Sequence, residues 1–193
     1  GVAEPTVPPT IKALVEARKL ENAVRRLGGT NHTNYPLVLE FVGNSLNGMG
    51  QYAEAVEAHE RVLAIRERMY GPTSAQAADS LNNIGNAKLR QGHYAEAEDY
   101  MARAAGIQQQ LKGNNSREFV FVLNNLGVVY QAQGKFADAE KVRKHVVSVY
   151  EQSQGPDHPD TADAIGKLAT LYQAMGRYGE AEPLFRRTLA VQE

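Results

Sequence analysis

The segment Gly50-Gln51-Tyr52-Ala53-Glu54-Ala55 returns as Gly92-His93-Tyr94-Ala95-Glu96-Ala97, as Gly134-Lys135-Phe136-Ala137-Asp138-Ala139 and as Gly176-Arg177-Tyr178-Gly179-Glu180-Ala181, each time 42 residues further on. Two other sets keep the same interval: Gly29, Gly71, Gly113 and Gly155, and Leu39, Leu81, Leu123 and Ile165. Three landmarks in one register mean that one unit is copied along the chain. A unit this short cannot bury its apolar face alone, so its copies must stack on one another.

Each unit reads as two helices. Between Thr73 and Gln91 the residues Ala77, Leu81, Ile84, Gly85 and Lys88 recur at steps of three and four, the spacing of one helical face. Gly92 breaks that run, and Tyr94, Ala97, Met101, Ala104, Ala105 and Ile107 begin a second face that Gly113 stops. The pattern predicts A helices at 34–49, 74–91, 116–133 and 158–175, and B helices at 52–70, 94–112, 136–154 and 178–193. Asn31, Thr73, Asn115 and Asp157, also 42 apart, are expected to cap the A helices, with Gln76 and Glu118 completing capping boxes and Pro159 in a first turn. Residues 11–28 are helical by pattern, as a degenerate repeat or a cap, and Pro5, Pro8 and Pro9 predict an extended tail over 1–10. The four units are then about 31–72, 73–114, 115–156 and 157–193.

Composition narrows the function classes. Lys and Arg number 21 against 22 Asp and Glu, a net charge of −1 without blocks of one sign, so neither nucleic acid nor a polybasic membrane contact is expected. The absence of Cys removes disulfides, thiolate metal sites and cysteine nucleophiles. No apolar run reaches the ~18–20 residues of a membrane helix, and the first residues lack signal-peptide order, so the expected setting is soluble, intracellular and cytoplasmic. The chain starts at Gly without Met and ends at Glu193 inside a predicted helix, which reads as a processed product or a cut fragment.

Leu81, Ile84-Gly85, Gly92, Tyr94, Ala97 and Ala104, repeated as Leu123, Leu126-Gly127, Tyr130, Gly134, Phe136 and Ala139, resemble the tetratricopeptide repeat (TPR). The longer unit is similar to its 42-residue variant of the kinesin light chain type. Gly155-Pro156-Asp157-His158-Pro159-Asp160 and the run from Gly176 to Phe185 lie close to that consensus, and the resemblance covers residues 31–193. It implies an all-α, right-handed α-solenoid of antiparallel helix pairs, a TPR superhelix, whose A helices line a concave groove. On physical grounds Gly43, Gly85, Gly127 and Ala169 should let each A helix approach its B helix, with Ala55, Ala97, Ala139 and Ala181 facing them. Lys88 replaces the Tyr130 and Tyr172 of other units, and His59 and Arg143 replace Met101 and Phe185, which predicts that the second-repeat core and the outer faces of the first and third B helices are looser or carry contacts.

No chemistry is evident. The five histidines form no i, i+4 pair, the glycines stand singly at turns, and Asp157-His158-Pro159-Asp160 reads as a loop cap before it reads as a metal site. We therefore expect no enzyme, no catalytic residues, no metal and no cofactor. The sequons at Asn31 and Asn114 read as cap chemistry.

The informative polar residues are mid-helix asparagines, mediocre helix formers that need a reason. Counting away from the core, the A-helix stripe is Leu37, Glu40-Phe41 and Asn44, then Asp79, Asn82-Asn83, Asn86 and Arg90, then Phe121, Asn124-Asn125, Val128 and Gln131, then Asp163, Gly166-Lys167 and Thr170. A carboxamide can bond an extended peptide's backbone without dictating its side chains. The resemblance implies that Asn83 and Asn125 clamp a peptide backbone, and the stripe count adds Asn44, Asn82, Asn86, Arg90, Phe121, Asn124, Val128, Gln131 and Lys167 to the groove. The alternative is that the asparagines bond one another or water between neighbouring A helices. The mixed charge leaves open whether acidic or apolar motifs are preferred.

The expected function is a non-catalytic scaffold or adaptor that binds a peptide segment or partner helix. The rival is a sensor or regulatory array from a larger signalling or multi-subunit protein. A third reading is self-association through the last helix, whose Phe185, Leu189 and Val191 have no following cap.

Overall fold

The computed structural model describes residues 9–28 and 34–192, and every regular element among them is helical. In chain order these are α1 (Pro9–Gly28), α2 (Tyr35–Gly48), α3 (Tyr52–Tyr70), α4 (Ala75–Gln91), α5 (Tyr94–Lys112), α6 (Arg117–Ala132), α7 (Phe136–Gln154), α8 (Pro159–Ala174) and α9 (Tyr178–Gln192). From α2 onward A and B helices alternate, their ends within one residue of the predicted ones. The helix α1 begins at Pro9, two residues before the predicted start, because a proline lacks only an N–H that the first turn leaves unpaired anyway. The expected tail over residues 1–8 and the expected cap at Asn31 lie outside the described residues.

The other expected caps shift by one position. Ser74 Oγ accepts the Ala77 N–H and Ser116 Oγ accepts the Phe119 N–H, both at 3.2 Å, so Ser74 and Ser116 cap α4 and α6 in place of Thr73 and Asn115. His158 caps α8 through Nδ1, which accepts the Asp160 N–H at 3.2 Å, in place of Asp157. With the frame moved, Gln76 and Glu118 no longer stand at the third helical position and the capping boxes do not form. The glycine landmarks are backbone requirements: Gly92 closes α4 at φ +82° and Gly155 closes α7 at φ +96°, left-handed values that a side chain would resist.

The chain divides into two compact units, Gly1–Ala104 and Ala105–Glu193, with the boundary inside α5. In the first, α1 packs on α2, α2 on α3 and α3 on α4. Its core gathers Val42 and Leu46 of α2, Val56 and Ala58 of α3, and Ile84 and Ala87 of α4, with Ala17 of α1 closing one end. In the second, α6 packs on α7, α7 on α8 and α8 on α9, around Ala139, Leu168, Leu171, Tyr172 and Ala181.

Within each of the first three A/B pairs the helices meet over a glycine. A Cβ built on Gly85 would lie 2.7 Å from Met101 Cγ and 3.2 Å from the Ala97 carbonyl. One on Gly43 would lie 2.7 Å from the His59 ring, and one on Gly127 would lie 3.1 Å from Arg143 Nε. His59 and Arg143 are therefore not on outer faces as the sequence pattern predicts. They fill the place that Met101 fills, at 1% and 5% exposure, because the glycine opposite leaves room only for a side chain reaching in from the B helix. Lys88 does not simply loosen its repeat either, since its Nζ pairs with Glu96 at 2.7 Å.

A staple closes the last A/B turn. Glu140 of α7 accepts from Lys144 Nζ at 2.6 Å, from the Tyr172 hydroxyl at 3.0 Å and from Arg177 Nη1 at 2.5 Å, while the Arg177 guanidinium lies 4.3 Å over the Tyr172 ring. The Lys144 and Arg177 hydrogen bonds hold the Glu140 carboxyl down at about 2.

Two outcomes follow from this packing. Gly85→Ala should destabilise the protein by ~1–3 kcal/mol through overpacking, while Gly106→Ala, whose Cβ meets nothing within 4 Å, should gain about 0.5–1 kcal/mol from helix propensity; thermal melts of the two variants read the difference. The Glu140 carboxylate is favoured by folding, since its folded value of about 2 lies below the ordinary ~4.3. Its contribution is therefore complete above pH ~4.3 and is lost as pH falls toward 2. Glu140→Gln should lower the melting temperature at pH 7 and flatten its fall between pH ~4.5 and ~2.5.

Candidate functional site

The A-helix stripe divides into exposed apolar side chains and polar groups already held by the fold. On α2, Leu37, Phe41 and Asn44 are exposed, with Phe41 at 52%. Between them Glu40 turns inward and binds Arg66 of α3, with Nη2 to Oε2 at 2.7 Å and Nη1 to Oε1 at 3.2 Å. The Arg66 guanidinium is buried and also donates to Ser80 Oγ on α4 at 3.0 Å. Asn83 Nδ2 completes the network by donating to Glu40 Oε1 at 3.0 Å. Asn83 is thus engaged in the free protein with a carboxylate on the preceding A helix.

Its neighbour Asn82 is buried, contrary to the outward position predicted for it. Adjacent helical residues stand about 100° apart, so two neighbours on one helix need not share a face. Asn86 is half-buried and Arg90 exposed on the same helix.

On α6 the stripe is more apolar at its surface. Phe121 is 58% exposed, Val128 is exposed, and Asn124, Asn125 and Gln131 are half-buried. Asn124 Oδ1 accepts from Nη1 of the buried Arg143 guanidinium at 3.2 Å. Burial pulls the Arg143 pKa down, and the Asp163 carboxylate on α8 opposes the shift. Lys167 is exposed and pairs with Asp163 on its own helix. Asn82 and Asn125 both have partners in the fold.

Hollows accompany the exposed apolar groups. In the first compact unit a depression of about 360 Å³ is lined by Ala17, Leu20, Leu37, Val38 and Phe41. In the second, a groove of about 620 Å³ beside Phe121 is lined also by Arg117, Val120, Val149, Tyr150 and His158. Tyr150 has its pKa raised by burial first, then by Asp160 and Asp163, with Arg117 opposing.

Sequence reasoning missed the network of Glu40, Arg66, Ser80 and Asn83, although a signal was present. Where the first repeat carries Glu40 and Arg66, the second carries Asn82 and Gln108 and the third Asn124 and Tyr150, so the two charges of opposite sign enter one repeat together. For the rejected chemistry, no group of three or more His, Cys, Asp or Glu among the described residues could hold a metal ion, and His158 serves as a cap. The Asn114 side chain accepts from Gln109 Nε2 at 2.7 Å, and the Asn31 sequon lies outside the described residues. No described helix is long and apolar enough to cross a membrane.

Paired helices in a 42-residue register, meeting over small residues, define a helical-repeat protein. The chain belongs to the tetratricopeptide repeat family, which matches residues 34–110 and 119–193. Its fold is similar to that of the nearly identical TPR-like repeats of a protein from Podosopora anserina assigned as a kinesin light chain, with a TM-score of 0.82 at 22% identity over 95% of this chain and 87% of that one. It is also similar to BtubC (BKLC) from P. vanneervenii, with a TM-score of 0.81 at 22% identity over 95% and 73% of the two chains. A Rap protein complexed with competence and sporulation factor matches with a TM-score of 0.75 at 16% identity, over 94% of this chain and 48% of that one. No curated protein sequence matches the chain.

The buried imidazole under Gly43 makes acid sensitivity testable. Burial lowers the His59 pKa from its ordinary 6.5, with Glu40 opposing and Arg66 assisting. Folding therefore favours the neutral ring, so this stabilisation is complete above pH ~6.5 and declines as pH falls below it. His59→Met, the residue already accommodated under Gly85, should leave the first compact unit less sensitive to a change from pH 7 to pH ~5 than the parent, as read by circular dichroism melts.

Proposed function

We propose that the protein is a non-catalytic scaffold that holds a peptide segment of a partner protein against its A-helix faces. The observation that carries this reading is the set of large apolar side chains left in solvent on those faces, Leu37 and Phe41 on α2 and Phe121 and Val128 on α6, beside hollows and half-buried carboxamides. Exposed apolar groups of this size are costly to leave in water and suit pockets for anchor side chains, while Asn125, Gln131, Asn44 and Asn86 suit backbone bonding. Asn83 would serve a peptide only by sharing or leaving its bond to Glu40, and Asn82 is withdrawn from the proposed contact set because it is buried. Arg90 and Lys167, both exposed, are the groups able to select charge, while Asn124 is already held by Arg143.

In this reading the units are 31–72, 73–114, 115–156 and 157–193, with α1 as the cap of the first, and the work is done in the cytoplasm. A second reading, a regulatory array within a larger protein, draws support from the Rap protein, of which a region similar to this chain makes up about half. There the same faces would hold a segment of the parent chain.

Selection of a displayed random-peptide library on the 193-residue chain, repeated with Phe121→Ala and with Asn125→Ala, tests the proposal. Enriched peptides should share one or two large apolar anchors and lose at least about tenfold in affinity with Phe121→Ala. Peptides that bind both variants as well as the parent would overturn the A-helix assignment.

A further inference from the structure

Two arginines are buried among the described residues, Arg66 at 7% exposure and Arg143 at 5%. Arg66 meets a carboxylate: both Nη atoms donate to Glu40, and Asn83 Nδ2 donates to the same side chain. Arg143 is differently placed. Its guanidinium lies against Gly127, Nη1 donates to the neutral Asn124 Oδ1 at 3.2 Å, and Nε is buried with no hydrogen bond. The carboxylate that acts on it, Asp163 on α8, does so through its charge and not through a hydrogen bond, and is held at 2.5 Å by Lys167 of its own helix.

The 42-residue register sharpens the contrast. Asn124 stands where the first repeat has Glu40, and Asn125 where the second has Asn83. The first repeat therefore carries its own carboxylate beside a buried guanidinium, while the third carries an amide in that place. The guanidinium is particular to this repeat, since the equivalents of Arg143 are His59, Met101 and Phe185. A buried cation with only neutral partners is costly, and an anion that reaches it with good hydrogen-bond geometry offsets that cost.

We propose that Arg143 and Asn124 form the seat for a carboxylate of the bound peptide segment, an aspartate or glutamate side chain that does in the third repeat what Glu40 does in the first. Asn124 is half-buried on the α6 stripe, one turn from the exposed Phe121 on one side and from the exposed Val128 on the other. A carboxylate at this point takes the Nη1 donor from Asn124 Oδ1, and the freed carboxamide turns Nδ2 to the same anion, the arrangement that Asn83 Nδ2 already makes with Glu40. The acid of the peptide then lies within a few residues of its apolar anchor. This inference deepens the peptide-binding reading and rests on it.

Two experiments test the seat. Asn124→Asp places a carboxylate of the same shape where the amide oxygen is now 3.2 Å from Arg143 Nη1. It should raise the melting temperature at pH 7, with the gain complete above pH ~4 and lost as pH falls below it, because folding then favours the ionised form. This measurement needs no peptide. A melting temperature that is unchanged or lowered at pH 7 means that the guanidinium lacks nothing, and overturns the proposal. In the second experiment, peptides selected from a displayed random library on the parent should carry Asp or Glu near the apolar anchor. Changing that residue to Asn or Gln should weaken binding at least about tenfold on the parent, but less than about twofold on Arg143→Met, whose new side chain is the one Met101 supplies under Gly85. Peptides that depend on Phe121 yet show no acid preference, or that lose as much on the variant as on the parent, overturn the seat and leave the peptide-binding reading standing. A selection that yields no peptide dependent on Phe121 overturns both.

Discussion

Everything in this fold depends on how closely an A helix can approach its own B helix. That distance is set at one position per pair, where Gly43, Gly85 and Gly127 expose backbone and a side chain from the B helix fills the space: His59, Met101 and Arg143. A methyl group at the glycine would push the helices apart and with them every contact further along the pair. The consequence reaches the surface, because within each pair the seam sets which side chains of the A helix are left exposed.

The same seam explains why two of the three buried occupants are polar. A buried imidazole and a buried guanidinium cost free energy unless their surroundings compensate. In the first repeat the compensation is generous for Arg66, which is held by Glu40 and Ser80, while His59 lies under Gly43 with its pKa lowered by burial. In the third repeat Arg143 has Asn124 at hydrogen-bond distance and Asp163 further off. These polar groups tie stripe residues to the interior. Glu40, Asn83 and Asn124 are consequently part of the folded framework, and the groups left to meet a partner are mainly apolar.

At the turns the physics is local. Left-handed glycines end the helices, serine hydroxyls and one imidazole start them, and the last turn is fastened by Glu140, Tyr172 and Arg177. Each of these devices acts within a few residues or one helix neighbour. Local chemistry repeated at a fixed period therefore builds a structure whose units differ in detail without disturbing one another.

The helices and their boundaries were legible in the sequence, because helix formation answers to a periodicity of 3.6 and to glycine breaks, both of which a linear sequence displays. The 42-residue register, carried by three sets of landmarks, fixed which helix folds back on which. The sequence could not separate Asn82 from Asn83, or place His59 and Arg143 inside, because those outcomes depend on which side of a helix its neighbours cover and on the gap a glycine leaves. It also misplaced the caps by one residue, since threonine, asparagine and serine are all competent and only the backbone angle at the position chooses among them. Sequence by itself determined the period, the helices and the small residues of the seam. The tertiary structure alone decided which polar side chains are consumed by the fold and which apolar ones remain in water, because burial is a property of packed surfaces that no single helix possesses.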